Sequence, residues 1–291
     1  MIMGILSGFK RLFRVSQLNS MAERLFSGIP PEADARIAYG DDPLQFGDLR
    51  LPKEHGDGLL PTVIVIHGGF WRSRYTLDHI GHLCAALTSN GVATWSVEYR
   101  RLGDEGGGWP NTLLDVGMAC DHVRVLAGEY NLDLGRVVVT GHSAGGHLAA
   151  WVAGRHRIPE GHTLYVADPL PLAACVPLAG VVDLQLCWRM NLSNGVVVEL
   201  MGGSPQDVPE RYAGASPGDL LPIGVKQVLI HGTADPNVPY ELSDLYVARA
   251  KALGDDAELV PLKGTGHFEV IDPMSKEWPV VRERILGVIP K

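Results

Sequence analysis

The β-branched run Val137-Val138-Val139-Thr140 ends at Gly141-His142-Ser143-Ala144-Gly145, and a helix-like stretch, Gly146-His147-Leu148-Ala149-Ala150-Trp151, begins directly behind it. β-Branched residues favour an extended strand. The alanine- and leucine-rich stretch favours a helix. A chain that passes from strand to helix across five residues must turn sharply, and the glycines flanking the serine supply a turn with no room for a neighbouring Cβ. Such a turn leaves the Ser143 hydroxyl exposed at the tip of a sheet. The strand before it and the helix after it raise the pentapeptide above a chance match in a glycine-rich chain.

Two partners that a nucleophilic serine requires follow in workable order. The strand-like run Val225-Lys226-Gln227-Val228-Leu229-Ile230 leads to Asp235, and Ala257-Glu258-Leu259-Val260-Pro261-Leu262 leads through Lys263-Gly264-Thr265-Gly266 to His267. In an open parallel sheet the carboxyl ends of the strands gather along one rim, so Ser143, Asp235 and His267 are expected to converge there. A serine hydroxyl is a weak nucleophile at neutral pH. An imidazole must take its proton and later return it to the leaving group, which is the role expected of His267. A carboxylate must hold the imidazole tautomer and steady the imidazolium, which is the role expected of Asp235. Asp183, behind Ala174-Cys175-Val176-Pro177-Leu178-Ala179, is the competing acid. Asp235 is preferred on its flanking prolines, Pro236 and Pro239, and on strand order.

Upstream, Thr62-Val63-Ile64-Val65-Ile66 runs into His67-Gly68-Gly69-Phe70-Trp71. Adjacent glycines at a strand end let backbone N–H groups turn towards a ligand. The amides of Gly69, Phe70 and Ala144 are the expected oxyanion hole for a tetrahedral intermediate. His67 is expected to hydrogen-bond its own loop.

These segments, with Glu98-Tyr99-Arg100-Arg101, Gly106-Gly107-Gly108-Trp109-Pro110 and Gly264-Thr265-Gly266-His267, resemble the esterase branch of the α/β-hydrolases whose oxyanion loop reads His-Gly-Gly-x-Trp. That pattern is associated with kynurenine formamidase-like and carboxylesterase enzymes. The resemblance covers most of the chain from about residue 60 onward. It implies the triad Ser143, Asp235 and His267, with oxyanion donors at Gly69, Phe70 and Ala144. The chain departs from the hormone-sensitive-lipase variant, which has a third glycine where Phe70 stands. The expected activity is cleavage of small or aryl carboxylic esters through an acyl-enzyme, with no cofactor. The alternatives are an arylformamidase and, from another class, a catalytically inactive hydrolase fold that binds a ligand.

At 291 residues and 46% hydrophobic content, the chain can bury the core of one such domain. The expected fold is α/β, an α/β-hydrolase fold with a mostly parallel sheet of about eight strands. An edge hairpin is expected over 34–51, then strands near 62–66, 92–97, 136–140, 172–179, 225–230 and 257–262. Helices are expected near 77–89, 111–128, 145–154, 240–253 and 275–287. The catalytic domain is placed over 31–291, behind an N-terminal extension over 1–30. The stretch from 181 to 222 breaks the alternation and is expected to form a small cap over the rim. With it, Trp71, Trp109 and Trp188 are the expected substrate-binding walls.

A net charge of −8 offers no basic field for nucleic acid. Cys84, Cys120, Cys175 and Cys187 lack paired spacing, and three of them (Cys84, Cys120, Cys175) are expected to be buried thiols. His79 and His82 lie three apart on a helix with no acidic or cysteine partner, so no metal site is expected. Residues 1–20 carry Lys10, Arg11 and Arg14 without an acid, and place Ile2, Ile5, Phe9 and Phe13 at helical spacing. Their charge order is not that of a signal peptide, and Gly4 and Gly8 weaken a free helix. The expectation is a loosely held or packed extension of a cytoplasmic protein without an integral membrane segment. A small-molecule ester or formamide is the expected partner, and a homo-oligomer is compatible with the sequence.

Overall fold

The computed structural model describes residue 21 and residues 23–291 apart from 55 and 57. The basic segment 1–20 lies outside the described residues. Of the expected extension over 1–30, residue 21 and residues 23–26 are helical.

Among the described residues eight strands form one sheet: β1 (Ala35–Ala38), β2 (Phe46–Arg50), β3 (Leu60–Ile66), β4 (Ala93–Val97), β5 (Leu132–His142), β6 (Ala174–Leu178), β7 (Lys226–Gly232) and β8 (Ala257–Leu262). Their order is β1-β2-β4-β3-β5-β6-β7-β8. The first two strands run antiparallel as an edge hairpin, and β2 pairs antiparallel with β4. All remaining pairs are parallel. This is the mostly parallel α/β-hydrolase sheet that the strand pattern and the resemblance led to expect.

Because side chains alternate across a strand, successive residues of β3 feed two separate cores. Ile64 and Ile66 join Val137, Val139, Trp95 and Trp151 on one face. Val63 and Val65 join Val138, Val176, Val228 and Ile230 on the other. Burial on both faces explains why the central strands read as unbroken apolar runs.

Helices fill the connections: α1 (Gly81–Thr88) after a 3-10 turn at Leu77–Ile80, α2 (Asn111–Asp121), α3 (Val123–Tyr130) and α4 (Ala144–Gly154). The single helix expected over 111–128 is divided at His122, which separates α2 from α3. Every residue of α4 is buried, as its apolar composition requires. The stretch 181–222 folds as four short helices, α5 (Leu184–Arg189), α6 (Val196–Met201), α7 (Pro209–Ala215) and α8 (Pro217–Leu220). Leu184, Val196, Val197, Leu200 and Met201 are buried in the first core. The chain closes with α9 (Glu241–Ala252) before β8 and α10 (Trp278–Gly287) after it. No described helix is long and apolar enough to cross a membrane.

Candidate active site

Ser143 sits between the end of β5 and the first residue of α4, with φ 57° and ψ −119°. A non-glycine residue held there carries strain of about 1–3 kcal/mol, which the surroundings must over-determine. They do so through backbone bonds: the Ser143 amide donates to the Leu178 carbonyl at 2.9 Å, and its carbonyl accepts from Val181 at 3.2 Å and from His147 at 3.1 Å. A Cβ on Gly141 would stand 2.2 Å from the Gly145 carbonyl oxygen, and one on Gly145 would stand 2.1 Å from that of Ile66. Both glycines of the turn are therefore forced by close backbone approach. Burial pushes the His142 imidazole well below its ordinary pKa, and the nearby His267 adds to the effect. Its Nε2 donates to the His267 carbonyl at 2.9 Å, tying the serine turn to the histidine loop.

Asp235 and His267 are drawn together by the loops beyond β7 and β8. The Thr233 amide donates to Leu262 at 2.9 Å and the Ala234 amide to Thr265 at 3.0 Å. A Cβ on Gly232 would meet the Thr265 carbonyl oxygen at 2.3 Å, so the loops touch through a glycine. As a result His267 Nδ1 donates to Asp235 Oδ2 at 2.6 Å, with the acid's side chain fully buried. The other carboxylate oxygen accepts the amides of Asn237 at 2.8 Å and Val238 at 2.9 Å. Burial works to raise the Asp235 pKa, but bonds from His231 and His267, the His267 charge and the Val238 amide outweigh it and hold the acid well below the carboxylate range. Asp183, the competing acid, caps α5 by accepting the Leu186 amide at 2.8 Å. Its carboxylate serves a helix end.

Ser143 and His267 line one cavity of about 150 Å³, together with Gly69, Phe70, Phe26, Tyr75, His79, His142, Asn237 and Phe268. Gly69 and Phe70 reach it because both adopt positive φ, 113° and 51°. A Cβ on Gly68 would stand 2.6 Å from the His142 carbonyl oxygen and 3.0 Å from the Ser143 Cβ, so this loop lies directly on the serine turn. Ala144 opens α4, and its amide is among the first-turn donors without an intrahelical partner. The loop is braced from below. Both ring nitrogens of His67 face acceptors, Nδ1 the Gly68 carbonyl at 2.8 Å and Nε2 the Glu98 carboxylate at 2.8 Å. Glu98 also takes the Leu77 amide at 3.1 Å and Arg101 Nη1 at 2.9 Å. Burial alone would raise its pKa; His67 and Arg101 bring it below the usual value.

The expected tryptophan walls are corrected by this geometry. Trp71 is fully buried in the first core, edge-on to His147 at 5.2 Å, with its Nε1 lacking a hydrogen-bond partner among the described residues. Trp109 packs against His162 at 6.0 Å, beneath the Arg211 guanidinium at 5.6 Å. Trp188 lies on α5, half-buried against the core. None of the three lines the cavity of Ser143 and His267, and neither does any residue of 181–222. The cap residues are held by the body because their apolar side chains complete the core. The cavity's aromatic wall comes instead from Phe70 with Phe26, Tyr75 and Phe268. Phe70, on the loop after β3, was the aromatic lining residue that the sequence itself suggested.

His79 lines the cavity as well; its Nδ1 donates to the Thr76 carbonyl at 2.7 Å, and burial, then the His67 charge, pushes its pKa down to about 3. His231 bonds Ser243 at 2.7 Å and Val238 at 3.0 Å and brings its Nε2 to 3.3 Å from Asp235 Oδ2, so it braces the acid, whereas His147 donates to Ala215 at 2.9 Å. The four cysteines are free and buried. Among the described residues no three His, Cys, Asp or Glu side chains are grouped to hold a metal ion.

A family model described as BD-FAE matches residues 48–249, which include the loop at 67–71, the serine turn at 141–145 and Asp235 but not His267. The chain belongs to the BD-FAE family. Esterase LipC of Mycobacterium tuberculosis is 27% identical to this BD-FAE protein over 252 residues, 81% of the chain and 60% of LipC. Isoprenylcysteine alpha-carbonyl methylesterase ICME of Arabidopsis thaliana is 26% identical over 276 residues, 87% of the chain and 61% of that relative. The chain thus spans about three fifths of the length of these curated relatives. Two solved structures share its fold. The propionate-bound esterase Est2 of Thermogutta terrifontis superposes with a TM-score of 0.73 at 21% identity, covering 90% of this chain and 97% of its own. A truncated carbohydrate esterase from gut microbiota gives 0.72 at 23% identity, covering 87% and 94%.

Proposed function

We propose that this BD-FAE protein is a serine carboxylesterase that cleaves small carboxylic esters through an acyl-enzyme. Ser143 attacks the ester carbonyl while His267 takes its proton; Asp235 holds the imidazole with its free nitrogen towards the serine and stabilises the imidazolium. The amides of Gly69, Phe70 and Ala144 receive the developing oxyanion. His267 then returns the proton to the departing alcohol, and a water activated in the same way releases the acid. The observation that carries this reading is the 2.6 Å bond from His267 to an ionised Asp235, with the same histidine and Ser143 sharing one small cavity. The esterase names of its relatives favour ester over formamide substrates.

The test compares initial rates on nitrophenyl acetate, ethyl acetate and N-formylkynurenine for the wild type and Ser143→Ala. Ester turnover is expected to exceed formamide turnover and to fall by ~10⁶ in the variant. A dominant formamide rate replaces the ester reading with an arylformamidase. Near-normal ester turnover in Ser143→Ala removes Ser143 as nucleophile.

A further inference from the structure

Residues 23–26 form a helical turn, closed by the Ser27 amide on the Glu23 carbonyl at 3.0 Å and anchored by the ion pair of Arg24 with Asp272. The turn delivers Phe26 to the mouth of the candidate active site. Its ring stacks on His79 at 5.4 Å, meets Phe268 edge-on at 5.1 Å and lies 5.8 Å from Tyr75. Phe26, Tyr75 and Phe268 belong to two spaces at once. On one side is the 150 Å³ chamber with Ser143 and His267; on the other is a 570 Å³ vestibule edged by Glu23, Ser27 and Arg74. Phe26 is one of the three rings that border both spaces.

Which half of a substrate meets Phe26 follows from proton transfer. His267 protonates the departing oxygen, so the alcohol half lies on the imidazole side. The Phe268 ring stands 5.0 Å from that imidazole and carries Phe26 against its other neighbours. A chamber of 150 Å³ is about the size of a cavity that takes up one benzene molecule, which leaves little room beyond the reacting carbonyl. We infer that Phe26 is a specificity-determining residue that limits the leaving group, making esters of small alcohols the preferred substrates. This inference rests on the esterase reading above.

The experiment measures kcat/KM for ethyl acetate and octyl acetate with the full-length wild type, Phe26→Ala and Phe26→Trp. Because Phe26 is 39% exposed, its truncation leaves the cores intact. Phe26→Ala removes one of the bordering rings and is expected to raise the octyl-to-ethyl ratio about tenfold, the scale at which a hydrophobic pocket discriminates by size. Phe26→Trp is expected to lower the ratio. The butyrate-to-acetate ratio for nitrophenyl esters, which varies only the acyl half, should stay within about threefold in both variants. An unchanged octyl-to-ethyl ratio in both, with esters still cleaved, overturns the inference and leaves the esterase reading standing. Equal shifts in the alcohol and acyl series also overturn it, because they mark a general loosening. If the wild type cleaves no ester and ethyl phosphonate fails to label Ser143, the esterase reading falls and the inference with it.

Discussion

Replacing Asp235 by asparagine keeps the shape of the side chain and removes what the proposed chemistry asks of it. The carboxylate accepts from His267 Nδ1 at 2.6 Å, so the proton is fixed on Nδ1 and Nε2 is left as the proton acceptor that the proposed mechanism needs. An amide at this position can donate to Nδ1 instead, which leaves the proton on the wrong nitrogen. The charge matters as well. Two unit charges about 4 Å apart at an effective dielectric of ~20 attract by about 4 kcal/mol, or roughly three decades in rate. Together with the tautomer inversion, the expected loss in kcat is about 10⁴-fold, with KM nearly unchanged. Asp183→Asn supplies the comparison. Asp183 only caps α5, and asparagine caps as well as aspartate, so its kcat should stay within about twofold. Both are read by stopped-flow and steady-state hydrolysis of nitrophenyl acetate at pH 8, with circular dichroism verifying the fold. An Asp235→Asn enzyme within tenfold of wild type, or an Asp183→Asn enzyme equally damaged, refutes the assignment.

Gly68→Ala should lower kcat by about 10²–10³ with little change in KM, because a Cβ 2.6 Å from the His142 carbonyl must push the oxyanion loop off the serine turn; unchanged steady-state rates would contradict this. Glu98→Gln leaves Arg101 and His67 without their shared buried carboxylate and should cost about 3–5 kcal/mol, read as a melting temperature lower by about 10 °C. Acid should destabilise the fold before carboxylates protonate. His79 and His147 have pKa values lowered by burial to about 3 and about 4, and His142 is lowered too, whereas the unfolded chain binds those protons near pH 6.5. Their contribution is complete above about pH 6.5 and is lost as pH falls towards the folded values, at ~1.4 kcal/mol per pH unit for each group. Urea midpoints should therefore drop between pH 7 and pH 5, and unfolding at pH 5 should take up at least about three protons by calorimetry in buffers of differing ionisation enthalpy, with His122, also lowered by burial, adding to them.

Much of the candidate site was legible because its demands are local. Gly141 and Gly145 announce a turn that no other residue fits, and the apolar runs ending at Ile66, His142, Gly232 and Leu262 announce strands whose ends share a rim. Chain order then named Ser143, Asp235 and His267. Glu98 went without a role, although Glu98-Tyr99-Arg100-Arg101 stood out as a motif, because a carboxylate beneath a loop 31 residues away leaves no mark in local periodicity.

The amino-acid order by itself determined the strands, the strained turn and the three residue types that the chemistry needs, since each depends on neighbours along the chain. Tertiary structure alone decided the walls. Trp71 and the 181–222 helices complete a core, while Phe26, Tyr75 and Phe268 arrive from three separate segments to enclose the serine. An apolar side chain gains about as much from a core as from a cavity wall, so its hydrophobicity cannot say which it joins. Sheet order and the packing of distant loops make that choice.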